Sequence, residues 1–575
     1  MNKSIVILTL SLSTAGAAFG QGAIDAFRLS QPDMKGTARF MGMGGAFGAL
    51  GGDLSTLSQN PAGIGVYRSN ELGFTLDLDC QSSSAEAQGY KSDMSQTKFL
   101  LNNIGAVLTM RLPNSTFQNL NFGFTYNKGA SFNRIYGGSI PKLSNSLSNY
   151  IAGVANGNGL TENDVAATDT YDPYNPTDGG YISPWITILG YNGYLITPSG
   201  TGDNTNWYGQ WGNGTSGSGN FQVQEKGSID EYNIAFGGNI SNVVYWGMNF
   251  DIVNMNYTLQ SLWGENLTDA YVPDQNNEIV RGPANWGLGN YYNVHGSGFK
   301  YSLGVILKPI QELRIGVAFH TPTWYNLTEN YAATLDYKYG SETGSTSTNG
   351  GYMAYNDMCF RTPWKVMASV AGVIGNNFIL SMDYEWTAYN KMKFSAPGSY
   401  GVSNDWDYGW GGGWDDWYAT NPSSTPAPPT RSYASASNDP YYESNYDINS
   451  YYQSTNTLRI GAEYRVTPSF SLRAGYSYSS SPVKQRARDN QEEIYTQGTL
   501  PNYRFDNHTN YITCGMGYRY KQFYVDMAYV YKNISSEYHA YTPDINTDYN
   551  QAIPSPQAKL SLNNSQIILS AGFRF

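Results

Sequence analysis

The chain has 575 residues and a formal charge of -11, with a pI near 4.9 and a mean hydropathy of -0.44; this acidic balance excludes a nucleic-acid binder, which needs a basic surface. Past Gly20 no apolar run reaches the ~20 residues of a membrane helix, so a membrane span has to be built from strands, whose alternating faces keep hydropathy near that of a soluble chain. Forty-nine Tyr, 13 Trp and 63 Gly beside only 14% charged residues describe strands, aromatic girdles and Gly-rich loops rather than helices.

Residues 1–20 read as a secretory signal peptide, with Lys3, an apolar run from Ile5 to Leu12, and Ala18 and Gly20 at the small-residue positions before cleavage. Residues 21–67 form a second unit. There Gly44, Gly45, Ala46 and the glycines that follow let backbone pass close to backbone, Leu54 and Leu57 sit at helical spacing behind Asp53, and Asn60-Pro61 fixes a turn before Ala62 and Gly63. A Gly-Ala-rich run leading into Asn-Pro-Ala ahead of a β-rich chain resembles the N-terminal hatch of the FadL/TodX-type outer-membrane transport proteins. The resemblance implies an all-β fold, a transmembrane antiparallel barrel of about 14 strands with a small hatch in its lumen. It also implies a passive channel for hydrophobic small molecules such as long-chain fatty acids. Asn60 would anchor that hatch, and Pro61 would hold its turn.

From Ser69 to the end, residues 68–575 read as the barrel. About fourteen runs of two-residue periodicity are expected, from 69–80 and 97–112 through 311–337 and 377–395 to 565–575. Short turns such as Ser241-Asn242-Val243 alternate with long loops, the largest about 131–228 and 396–453 and the shortest near 81–96. That asymmetry is the pattern of outer-membrane barrels, and an even strand count puts both termini in the periplasm. The last strand alternates Ile567, Leu569, Ala571 and Phe573 with Ile568, Ser570, Gly572 and Arg574, and stops on Phe575. Charges placed between apolar neighbours, namely Arg314, Asp383, Glu385, Arg459, Glu463 and Arg473, should face the lumen and form ion pairs that tie barrel to hatch. On the lipid face each would cost about 2 to 4 kcal/mol. Gly123 and Gly129 share one strand and are the places to expect a ladder irregularity through which a ligand leaves sideways.

Two loops are aromatic beyond ordinary linkers. One carries Trp207 and Trp211, the other Trp406, Trp410, Trp414 and Trp417. They are candidates for ligand capture, or alternatively they supply small cores for the loops themselves. Their Asp residues lack the EF-hand spacing, so no metal is assigned. The four histidines, His295, His320, His508 and His539, stand in no catalytic motif, and neither an enzyme nor a cofactor is expected. Three cysteines, Cys80, Cys359 and Cys514, give neither a zinc motif nor a disulfide framework, with a Cys80 to Cys359 bridge left open. The partners expected are outer-membrane lipids, a hydrophobic ligand, and through the long loops an outer-membrane protein. A second reading is a structural or adhesive barrel displaying aromatic loops; a third, a pore for polar solutes, is disfavoured because a hatch obstructs bulk flow.

Overall fold

The computed structural model describes residues 22–575 except 32, 113–115, 175–182, 275–277, 340–341, 376, 398–440, 490–493, 497 and 543–554. The expected signal peptide, Trp406, Trp410, Trp414 and Trp417 therefore lie outside the described residues.

Fourteen antiparallel strands close into a barrel. They are β1 (Glu71–Ala87), β2 (Tyr90–Arg111), β3 (Phe117–Ser131), β4 (Ser216–Ile240), β5 (Val244–Pro273), β6 (Ile279–Leu307), β7 (Leu313–His320, continued by Trp324–Tyr339) and β8 (Ala354–Arg361, continued by Lys365–Ile374). The circuit continues with β9 (Phe378–Thr387), β10 (Thr455–Arg465), β11 (Phe470–Ser480), β12 (Tyr503–Tyr520), β13 (Phe523–His539) and β14 (Gln557–Arg574). Closure comes from β1 pairing β14, with Leu72 opposite Phe573 and Leu78 opposite Ile567. In the middle of the strands one face carries exposed apolar side chains all round the barrel, among them Phe74, Leu108, Phe124, Met248, Val305, Leu380, Ile460, Met527 and Leu569. This is the lipid-facing belt of a transmembrane barrel. The opposite faces are buried and mix polar side chains with apolar ones.

At one end the connections are tight. Ser241 and Asn242 both take positive φ, 52° and 59°, which is what a two-residue primed turn demands. At the other end the strands run well past the belt, and here the sequence expectations fall short. The loop expected near 81–96 is a continuous β1–β2 hairpin that turns at Gln88 and Gly89. Much of 263–297 is likewise strand in β5 and β6. Beyond the hydrocarbon both faces meet water or protein, so stretches such as Gln81–Glu86 lose the apolar alternation that betrays a strand. Strands β7 and β8 are broken side by side at Thr321-Pro322 and Thr362-Pro363, where proline removes a ladder donor. Threonine patches the break, with Thr323 N donating to Thr362 Oγ1 at 2.8 Å.

The loop between β3 and β4 is not idle chain. Helices Leu147–Gly157 and Trp185–Asn192 and the hairpin Ile196–Ser199/Asn206–Gly209 cap the long-loop end, and their apolar side chains join one core with the upper barrel wall and the helix Ala23–Ser30. The thiols of Cys80, Cys359 and Cys514 are not joined in disulfides.

Candidate functional site

Residues 22–67 enter the barrel and fill its lumen. Helix α1 (Ala23–Ser30) lies toward the long-loop end, α2 (Ala38–Gly42) and α3 (Thr56–Gln59) lie lower, and a 3-10 helix over Pro61–Val66 leads into β1. Almost every residue of this segment is buried. Its compactness follows from glycine. Gly44, Gly45, Gly51 and Gly52 all sit at φ between 62° and 73°, where a Cβ is strained, and the wall answers with glycines of its own. A Cβ on Gly475 would fall on the backbone of Met43 and Gly44, and one on Gly247 on the backbone of Pro61.

Polar contacts complete the seating. Asp383 Oδ2 accepts from Phe47 N and Gly48 N at 3.0 Å each and from Gln59 Nε2 at 3.2 Å. Glu463 takes Arg39 of the segment at 2.9 Å and Arg473 of the wall at 2.7 Å, and Arg473 also reaches Asp526 at 2.5 Å. Arg459 pairs Glu385 at 3.2 Å, and Arg314 Nη1 donates to Leu50 O at 2.6 Å. All six lumen-facing candidates thus lie on the inner wall. Three of them, Arg314, Asp383 and Glu463, touch the segment directly. Asn60 is fully buried; its Oδ1 accepts from Ala62 N at 3.1 Å and its Nδ2 donates to Gly48 O, so it ties the middle of the Gly-rich run to the turn at Pro61. Pro61 opens the 3-10 turn that includes Ala62 and Gly63.

Sequence reasoning missed several contacts. Lys35 meets Asp77 at 2.9 Å and Asp79 at 3.6 Å, while Asp33 meets Lys532 at 2.9 Å and the Tyr511 hydroxyl at 2.7 Å. The inward spacing of Asp77 and Asp79 on a strand was the available signal. His320 Nε2 stands 2.8 Å from Gln59 O, which makes that nitrogen the donor. Burial pushes the Asp33 carboxyl up, but Lys532 and Lys35 beside it outweigh burial and hold it well below its ordinary range. Burial pushes Lys35 down, and Asp77, Asp33 and Asp79 more than reverse that.

The wall has a discontinuity beside this cluster. β2 pairs β1 from Tyr90 to Val107, with a register shift at Asn102, but pairs β3 only from Asn103↔Asn127 to Arg111↔Asn119. Past Asn127 the β3–β4 ladder skips Gly129 between Lys128 and Ala130. Residues Arg134–Ile140 stay paired with β4, from Arg134↔Glu225 to Ile140↔Gly219, and bond to β1 through its side chains, with Ile135 N donating to Gln81 Oε1 and Ser83 Oγ donating to Ile135 O. Gly129 is at the irregularity, and its carbonyl accepts from Asp33 N of the lumenal segment at 3.2 Å. Gly123 is a correction. It lies in unbroken ladder on both sides, and a Cβ there would crowd Leu57 and Ile64, so its smallness serves segment packing rather than a gap. Trp207 is a second correction: it is 2% exposed and donates from Nε1 to Leu160 O at 2.7 Å, anchoring the loop core rather than offering a surface for capture. Trp211 is half-buried against the same core.

Residues 218–575, more than half of the chain, match the model of a family described as outer membrane protein transport protein (OMPP1/FadL/TodX). The chain belongs to this family. Among solved structures it is similar to a Pseudomonas aeruginosa FadL homologue, at 11% identity and a TM-score of 0.49 over 95% of this chain and 99% of that one. It is also similar to the P. putida toluene transporter TodX, at 13% identity and a TM-score of 0.46 over 94% and 99%. A third is the Ralstonia pickettii toluene transporter TbuX, at 14% and 0.44 over 96% and 100%. No curated protein matches. As a member of this family the chain is an outer-membrane β-barrel transport protein.

Proposed function

We propose that this family member is a passive channel for hydrophobic small molecules, long-chain fatty acids or compounds like them. The cargo is met by the long-loop end, passes into the lumen, and leaves sideways beside Gly129 when residues 21–67 move as a hatch. Both termini are then periplasmic and the short turns face the periplasm. The observation that carries the reading is the broken β2–β3 ladder at Asn127–Gly129, together with the Asp33 N to Gly129 O bond that ties the hatch to its edge. A side exit suits a cargo bound for the membrane, because an apolar solute has no reason to return to water. The upper lumen suits such a cargo too: Phe27 stacks on Tyr452, and Phe132 meets Tyr257 edge-on.

The test is to tie the hatch to the wall. Ala38 N donates to Ser570 Oγ at 2.7 Å, so an Ala38→Cys/Ser570→Cys pair puts both cysteines at one contact of segment and wall, with cross-linking on oxidation checked first by gel shift. Fluorescent long-chain fatty acid should bind the reduced pair saturably and cross into proteoliposomes; the oxidised form should bind and not deliver. Equal delivery by both forms would show that the hatch does not gate. Absence of binding by any form would favour the display reading, which has its own support in the strands that run beyond the belt and in the cleft of about 730 Å³ they form around Leu262, Asn285 and Lys338.

A further inference from the structure

Inside this barrel a buried arginine is ordinarily met by a carboxylate. Arg459 has Glu385, Arg473 has Glu463 and Asp526, Arg134 has Glu225, and Arg28 has Asp25. The short-turn mouth departs from this pattern. A pocket of about 300 Å³ there is lined by Arg39, Arg68, Arg314, Arg465 and Arg574, and no carboxylate lines it among the described residues. Arg39 and Arg574 bring their own counter-ions, Glu463 at 2.9 Å and Glu71 at 2.6 Å. The other three do not. Arg68 donates to the neutral Asn242 Oδ1. Arg314 donates from Nη1 to a backbone carbonyl, and its Nε is buried without a partner. Arg465 has no side-chain partner among the described residues. Arg68 and Arg465 are exposed and Arg314 is half-buried, so a chain with a net charge of -11 has gathered at one water-facing concavity three guanidinium groups that no carboxylate pairs among the described residues, and an anion there would relieve their mutual repulsion.

We propose that this pocket binds a phosphate-type oxyanion that latches the lumenal segment to the wall. Guanidinium forks match phosphate oxygens two at a time, and a tetrahedral anion can be met from several directions at once. Leu50 and Val66 on one side and Val373 and Ile379 on the other give the pocket apolar walls, which suits a phosphate carrying a short organic substituent as well as the bare ion. Arg39 belongs to the lumenal segment and Arg68 to its junction with β1, whereas Arg314, Arg465 and Arg574 belong to the wall. An anion among them therefore bridges the two bodies. The site is independent of the cargo and of the side exit.

The latch is read by trypsin cleavage after Lys35 and Arg39 in the detergent-purified full chain. Inorganic phosphate should slow that cleavage saturably, by about tenfold relative to chloride at equal ionic strength, since a ligand bound only to the seated state shifts the population by its occupancy. The Arg314→Gln/Arg465→Gln variant should lose this protection, while Arg281→Gln, beside Asp269 at the far end of the barrel, should keep it. Dihexanoyl phosphatidylglycerol tells the sources apart: protection at a far lower concentration than phosphate identifies a lipid headgroup, and protection by phosphate alone identifies a soluble ion. If phosphate and chloride act alike on the wild type and the lipid does nothing, there is no latch; that comparison decides the matter even where the double variant does not fold. Retained protection in a folded double variant would equally overturn the assignment.

Discussion

Around α1 the lumen is lined by rings. Phe27 lies between Tyr389 and Tyr452, and Tyr257 and Tyr292 with Trp263 and Trp286 extend the aromatic layer toward the loops. Around residues 33–67 smaller apolar clusters are interleaved with glycines and charges, with backbone against backbone at Gly475 and Gly247 and carboxylates such as Asp383 and Glu463 receiving donors from the segment. The difference separates two tasks within one cavity. Apolar burial is non-directional, so a ring-lined wall can exchange one apolar partner for another. Backbone contact and charge-assisted hydrogen bonds have one good geometry and fail outside it. Under the proposed function the upper lumen is the part that receives the guest and the lower lumen the part that shuts.

The largest way to break this division is Gly475→Val. The new side chain would occupy space held by the Met43 and Gly44 backbone, which no rotamer change can clear. The expected outcome is a folded barrel with an unseated segment, seen as a large rise in single-channel conductance and rapid trypsin cleavage. Phe27→Ala comes next. It removes a side chain that is 5% exposed and should cost about 3 kcal/mol of segment docking, less if neighbouring rings relax into the space. Its signature is selective: α1 loosens, measured by amide exchange, while residues 38–66 stay protected. Should both halves loosen together, the lumen acts as one unit and the division is wrong. Asp383→Ala leaves the Phe47 and Gly48 amides without their acceptor and should weaken seating by about 2 kcal/mol, measured as the midpoint of segment release in urea, with the barrel transition unmoved.

How much of this could be read from the chain depends on where a residue sits relative to the membrane. Inside the belt the alternation of Leu458, Ile460 and Ala462 with Arg459, Gly461 and Glu463 marks both the strand and its inner face, because lipid enforces a two-residue rule. The Gly-rich run with Asn60-Pro61 is legible for a related reason, since only close backbone packing asks for that composition. Beyond the belt nothing enforces alternation, so the β1–β2 hairpin through Gln88 and the long reach of β5 and β6 pass for loops. Long-range polar partners are hidden altogether. Lys35 and Asp77 stand 42 residues apart and Asp33 and Lys532 nearly 500 apart, and no local pattern announces such pairs. Gly123 and Gly129 look alike in sequence. Only the ladder shows that one receives the segment and the other interrupts the wall.

The smallest effect sharpens the comparison by pH. Asp33 is held well below the ordinary carboxylate range while the segment is seated, and on release it returns to about 3.9. A depressed carboxyl contributes stability that is fully present above the released value and is lost as pH falls through the seated one. Lys35 is raised, so its contribution is present below about 10.5 and is lost only at more alkaline pH. The contribution of Asp33 and Lys35 to seating should therefore be flat from about pH 5 to 9 and weaken as pH falls below about 4. Segment release against pH, followed by trypsin-independent fluorescence of a label on Met34→Cys, should show that plateau and acid limb, and Asp33→Asn should lower the plateau and flatten the limb. The contacts of α1 with Tyr389 and Tyr452 have no such titration, so a label on Ile24→Cys should report the acid limb only after residues 33–67 have left. Simultaneous release of both labels would mean that the ionic half, rather than the aromatic half, holds the whole segment in place.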